Sequence, residues 1–199
     1  MSVGILTSST NTGVDSELKC IFTAPISVLS NQPAYVQDML NLKRRASSQN
    51  VQRWEIETGI FPENNSANFL LHSVVNGHST PFYVRMPQVY GMTRSAANTA
   101  VNNGAGYIAG VNSVVVDTAL VAGEFIKFHG HSKVYLVITG GTTAVIFPPL
   151  IAAIADNEVV YTDTRVTLLA MYDTSVQLGI TYKDGVLSDP GSVKLVESL

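Results

Sequence analysis

The stretch Gly123-Glu124-Phe125-Ile126-Lys127-Phe128-His129-Gly130-His131-Ser132-Lys133-Val134-Tyr135-Leu136-Val137 constrains the fold most. Phe125, Lys127 and His129 alternate with Glu124, Ile126 and Phe128. A second apolar run, Val134 to Ile138, follows the polar Gly130-His131-Ser132-Lys133. Alternation with period two, broken by a polar turn, reads as a β-hairpin with one face on a core and a wet tip.

The same grammar recurs along the chain. From Val51 to Ile60, Trp54, Ile56, Thr58 and Ile60 share one face, while Val51, Arg53, Glu55 and Glu57 share the other, as in a half-buried antiparallel strand. Phe82 and Val84 oppose Tyr83 and Arg85 in the strand-like run 81–86. Ser8 to Glu17 reads as a loop or N-terminal arm, and Pro25 and Pro33 divide the next segment into short edge strands. One short helix is expected over 67–75, after the turn at Pro62–Ser66 and before Asn76-Gly77.

After Pro87 the composition turns rich in Ala, Asn and Gly, and short strands follow with glycine punctuation up to Pro148-Pro149. That spacing predicts a small OB-like β-barrel over 87–157. Longer strands return at 159–161, 165–172 and 176–182, and Val193 to Leu199 reads as a closing strand tied into a sheet. The expected fold is therefore all-β with one short helix. A discontinuous β-sandwich or barrel is built from 1–86 and 158–199, with 87–157 inserted.

Composition narrows function. Charged residues are only 14% of the 199, against roughly 25% in ordinary soluble domains. So little charge favours a surface partly covered by other subunits, and a Ser/Thr/Asn-rich monomer surface is the alternative. A net charge of −3, from 12 basic and 15 acidic residues, provides no excess to neutralise a phosphate backbone. The single cysteine, Cys20, forms no internal disulfide and reads as a small buried thiol. No apolar run of about 18 residues marks a membrane span, and the first residues lack the basic and apolar regions of a secretory signal.

Candidate chemistry is sparse. His129 and His131 stand two apart, a possible metal pair, but no third ligand is near and a solvated turn histidine fits His131 better. His72 and His78 suit surface or capping roles. Gly104, Gly106 and Gly110 lack the preceding strand and following helix of a nucleotide loop. Glu55, Glu57, Asp163 and Asp173 are carboxylates that the fold would have to bring together for acid–base work. No catalytic, cofactor-binding or metal residues are assigned, and no enzyme is expected. Trp54 reads as core, and the triplet Lys43-Arg44-Arg45 serves either inter-subunit electrostatics or a solvated strand end.

Three blocks carry a family resemblance. The first is Gln52-Arg53-Trp54-Glu55-Ile56-Glu57 followed by Phe61-Pro62. The second is Ala122 to Phe128 with His131-Ser132-Lys133-Val134-Tyr135. The third is Ile146-Phe147-Pro148-Pro149-Leu150 with the terminal Lys194 to Leu199. Over roughly 40–199 they resemble distal tail proteins of long-tailed bacteriophages, the siphophage type with an inserted OB-fold. The resemblance implies a virion structural protein forming a homohexameric ring at the tail tip or baseplate. Such a ring joins the tail tube protein to a hub, baseplate or tail-fibre protein and leaves a channel for non-specific DNA transit. It implies no cofactor and no catalytic residues, and a location in the virion after assembly in the host cytoplasm. Lys43, Arg44, Arg45, Arg53, Glu55 and Glu57 are the candidate subunit-interface residues. A second expectation is a carbohydrate- or single-strand-binding module, for which Phe125, Phe128 and Tyr135 are the candidate aromatics, although most of them fit a core better.

Overall fold

The computed structural model describes residues 2–9, 15–38, 44–48, 51–62, 75, 78–88, 99–174, 181–183, 186–188 and 192–199. Its strands in chain order are β1 (Gly4–Leu6), β2 (Leu18–Asn31), β3 (Ala34–Asp38), β4 (Arg44–Ser48), β5 (Arg53–Pro62), β6 (Phe82–Arg85), β7 (Thr99–Ala100) and β8 (Ser113–Leu120). They continue as β9 (Phe125–Phe128), β10 (Tyr135–Thr139), β11 (Gly141–Phe147), β12 (Val159–Tyr161), β13 (Thr167–Tyr172), β14 (Thr181–Lys183), β15 (Val186–Ser188) and β16 (Ser192–Glu197). The protein is all-β. A 3-10 turn, Asp15–Glu17, precedes β2, and the helix expected over 67–75 lies almost wholly outside the described residues.

Both ends of the chain build one closed barrel, in the order β1-β2-β5-β16-β13-β6. The alternation in β5 places Trp54, Ile56 and Ile60 in its core with Cys20, Val84, Leu168 and Leu195. Strand β16 lies between β5 and β13, pairing Leu195 with Ile56 on one side and with Tyr172 on the other. Pro25 does not divide its segment. Strand β2 runs fourteen residues, and its ladder with β5 shifts register between Thr23 and Ser27, so the proline sits in a bulge. A bulge is where a strand tolerates a residue without an N–H.

The middle of the chain forms a second sheet, β7-β12-β9-β10-β11-β8. It is nearly closed, because Val101 bridges Val116 and the Asn102 amide donates to the Val115 carbonyl at 2.9 Å, bringing β7 against β8. It has six strands, one more than the five of the OB form. Strand β12 belongs here, although the sequence reading placed it with the outer segments. Val160 pairs with Phe128 and Thr99 and is fully buried in this second core. A three-residue alternation names a strand but not its sheet, so the boundary read at 157/158 falls after Tyr161.

The β9–β10 hairpin joins the two barrels. Strands β9 and β10 pair Tyr135 with Ile126 and Leu136 with Phe125. Ile126 and Phe128 fill the second core, whereas Phe125 packs into the first. All four residues of β9 are buried, so both faces of this strand meet a core and neither is wet. The Trp54 indole meets Phe125 edge-on at 5.4 Å and Phe147 at 6.3 Å, and its Nε1 donates to the Val134 carbonyl at 2.8 Å. Edge-on aromatic pairs add about 0.5–1.5 kcal/mol each beyond area burial. Gln88 holds the same strand from the other side, accepting from the Phe125 amide and donating to its carbonyl, both at 2.9 Å.

Candidate assembly surface and interbarrel joint

Strand β2 outruns its partner β1, which covers only Leu18 to Ile21. From Thr23 to Asn31 the edge of β2 away from β5 has no strand partner among the described residues. The chain then enters a two-stranded ribbon, β3 against β4, pairing Tyr35 with Ser47 and Val36 with Ala46. Among the described residues the ribbon hydrogen-bonds to neither barrel sheet. Tyr35 is 64% exposed and Val36 is exposed beside it. An isolated two-stranded hairpin is marginal in water, and an open edge invites pairing.

Of the basic triplet, Arg44 and Arg45 lie on β4, opposite Asp38 and Gln37, and Lys43 lies outside the described residues. The candidates on β5 divide. Arg53 and Glu57 are exposed on the outer face. Glu55, read as a solvated or subunit-facing carboxylate, is instead 5% exposed. It accepts from Asn31 Nδ2 at 2.7 Å and pairs with Arg53 at 3.0 Å and Lys194 at 2.9 Å. Burial opposes its ionisation, but the bonds from Asn31, Lys194 and Arg53 outweigh that and hold the carboxyl below its usual range. Sequence alternation gave the face correctly but could not reveal that β16 and the end of β2 fold a lysine and an asparagine over it.

Lys194 also reaches Asp173 at 3.6 Å and Glu57 at 3.9 Å. Three of the four candidate carboxylates thus converge on one ammonium. The fourth, Asp163, is held by Arg165 through contacts of 2.6–3.1 Å. Each is part of an ion network within the chain.

The joint between the barrels carries the least expected chemistry. The Lys133 side chain is fully buried, its ammonium donating to the Gln52 carbonyl at 2.9 Å and ion-paired with Glu197. The same Glu197 oxygen accepts from the Trp54 amide at 2.9 Å. Burial pushes the Glu197 carboxyl up and the Lys133 ammonium down, and their mutual attraction works against both shifts. The pair ties the β9–β10 turn to the last strand and to β5, between residues 64 apart in sequence. Sequence reading assigned neither residue. A lone charge after a turn looks solvated unless its distant partner is known.

The second buried lysine of the joint is Lys127. Its ammonium donates to the Thr167 carbonyl at 2.9 Å and hydroxyl at 3.0 Å, and lies 5.9 Å from the centre of the Tyr83 ring. Burial lowers its pKa to about 8. It lines a cavity of about 290 Å³ with Tyr83, His129, Ser132, Tyr161 and Arg165.

The two histidines of the turn diverge. His129 is exposed, its Nδ1 sharing a hydrogen bond with the Tyr161 hydroxyl at 2.6 Å. His131, expected to be a solvated turn residue, is buried. Its Nδ1 meets the Tyr135 hydroxyl at 2.9 Å and its Nε2 the Ala153 carbonyl at 3.3 Å. The segment Leu150–Ala155 supplies that acceptor, a contact no local pattern announces. Burial in turn pushes the Tyr135 hydroxyl up to about 12. Phe125, Phe128 and Tyr135, the candidate aromatics for an OB-type ligand face, are all core residues, the use the sequence favours for most of them. They offer no stacking surface.

Gly104, Gly106 and Gly110 have φ of +73°, +78° and +90°. A Cβ on Gly106 would stand 2.3 Å from the Ile154 carbonyl oxygen, so this glycine permits close backbone approach rather than a phosphate cradle. No protein-family profile matches the chain, and no curated protein matches it significantly.

Proposed function

We propose that this protein is a virion structural subunit that forms a ring, six copies around an axis, at the distal end of a bacteriophage tail tube. The ring joins the tube to a hub, baseplate or fibre protein and leaves a lumen through which DNA passes. The carrying observation is the edge of β2 from Thr23 to Asn31, without a strand partner among the described residues, running into the separate two-stranded β3–β4 ribbon with exposed Tyr35. A heterologous, head-to-tail interface that closes on itself needs one projecting element and one receiving surface on every copy. The ribbon provides the first, and pairing it with a neighbour removes an aggregation hazard. Arg44 and Arg45 on the ribbon, with Arg53 and Glu57 on the outer face of β5, supply charges for that contact. The low charge content and the resemblance over 40–199 point the same way.

The test is the mass of the full chain in solution by light scattering, with and without the double substitution Tyr35→Asp/Val36→Asp. The wild type is expected as a ring-sized species and the variant as a monomer with an unchanged β-sheet circular dichroism spectrum. Equal masses for both proteins would count against the ribbon as the assembly element.

A further inference from the structure

We propose that the cavity beneath the β9–β10 turn is a binding site for a phosphate group, free or carried on a sugar, with Lys127 as its charged anchor. The inference rests on the cavity and does not depend on ring assembly. Lysine is almost never fully buried unless paired. Lys133, six residues on, obeys that rule with Glu197. Lys127 is 6% exposed and has no carboxylate within ion-pairing distance among the described residues. An ammonium has three hydrogens, and two of them go to Thr167. Among the described residues, what remains around the buried charge is the Tyr83 ring, its centre 5.9 Å away, and the cavity.

The rest of the lining fits an anion. Ser132 brings a hydroxyl, and the His129–Tyr161 pair brings a donor whose proton can sit on either partner. Arg165 borders the site with its guanidinium 5.0 Å from the centre of the Tyr161 ring, its charge balanced by Asp163, so Lys127 is the anchoring charge. Donors delivered by β9, the β9–β10 turn and β12 suit a tetrahedral oxyanion with several acceptors better than a planar carboxylate. At about 290 Å³ the cavity stands at the lower limit of ligand pockets, roughly 300–1,000 Å³, so the occupant is no larger than a monosaccharide phosphate. Tyr83 and Tyr161 give such a ring apolar walls.

Calorimetric titration of the full chain with inorganic phosphate, glucose 6-phosphate, glucose and galacturonate tests this. Phosphate is expected to bind saturably, with a dissociation constant on the order of 1 mM. Lys127→Met should weaken binding at least about tenfold, and Lys194→Met, a change outside the cavity's lining residues, should leave it unchanged. Glucose 6-phosphate binding well ahead of phosphate assigns the site to a phosphosugar, and equal binding assigns it to the anion alone. Tighter binding of galacturonate overturns the phosphate assignment. Because Lys127→Met also removes contacts to Thr167, the Lys127 ε-methylene resonance is followed in the wild type during the phosphate titration. A saturable shift supports the site. No shift, or no heat with any anion, overturns it.

Discussion

Two lysines six positions apart, Lys127 and Lys133, enter the same joint from opposite ends of one turn and meet different surroundings. Lys133 has Glu197, the Gln52 carbonyl and a Trp54-anchored strand around it, and its side chain is closed off from water. Among the described residues Lys127 has the neutral acceptors of Thr167, the Tyr83 ring and a cavity at its side. The first lysine holds two barrels in register. The second lies beside a cavity with no carboxylate within ion-pairing distance among the described residues, which is the basis of the proposed phosphate site. Burial of a charge therefore has two meanings in one joint, and the presence or absence of a carboxylate separates them.

The largest effect should come from cutting the pair. Lys133→Met leaves Glu197 buried and uncompensated and is expected to cost about 3–5 kcal/mol in urea unfolding. Adding Glu197→Leu to that variant should recover much of the loss, because a matched apolar replacement of both partners is often close to neutral. Simple additivity of the two single changes would deny the coupling.

Next, Trp54→Phe should cost about 1–3 kcal/mol, since it leaves the buried Val134 carbonyl without its donor at the same side of the joint.

The pH profile of Lys127→Met sharpens the contrast. A folded pKa of about 8 lies below the roughly 10.4 of the unfolded chain, so between those values the unfolded state binds the extra proton. The wild type should therefore gain about 2 kcal/mol relative to Lys127→Met between pH 7 and 10. Below pH 7 the difference is flat. The neighbours that face this ammonium, Tyr83, His129, Tyr161 and Arg165, remain in both proteins and cancel in the comparison. Tyr135 acts with the opposite sign, because its raised pKa removes stability as pH climbs from 10 to about 12, so the window stops at 10. A wild type and variant with parallel profiles would show that the ammonium is not buried as described.

The smallest effect lies outside the joint. Glu55→Gln should cost about 1 kcal/mol at neutral pH. The carboxyl is held below its usual range, so this contribution is present above the unfolded pKa and fades as pH falls through the folded one. Acid unfolding curves of the two proteins should converge.

How much of this was legible in the sequence follows the range of the interactions. The period-two faces of β5 and β16, the hairpin at Gly130–Lys133 and the burial of Trp54 and Cys20 are local patterns, and the sequence displays them directly. Membership of β12 was not legible, because three alternating residues do not say which core takes Val160. Nor was the bulge that admits Pro25, since only the β5 ladder reveals it. The joint was the least readable part. Lys127 and Lys133 look like exposed hairpin charges until Thr167 and Glu197, 40 and 64 residues away, close over them. Of the candidate interface residues, Arg53 and Glu57 kept the outward face that alternation implied, and Glu55 lost it to Asn31 and Lys194.

Native mass spectrometry of the full chain across a concentration series tests the central claim, that copies of this scaffold meet through the ribbon and the open β2 edge. A six-copy species that disappears in Tyr35→Asp/Val36→Asp is the expected result. A single-copy mass at every concentration, unaltered by that substitution, would contradict the account.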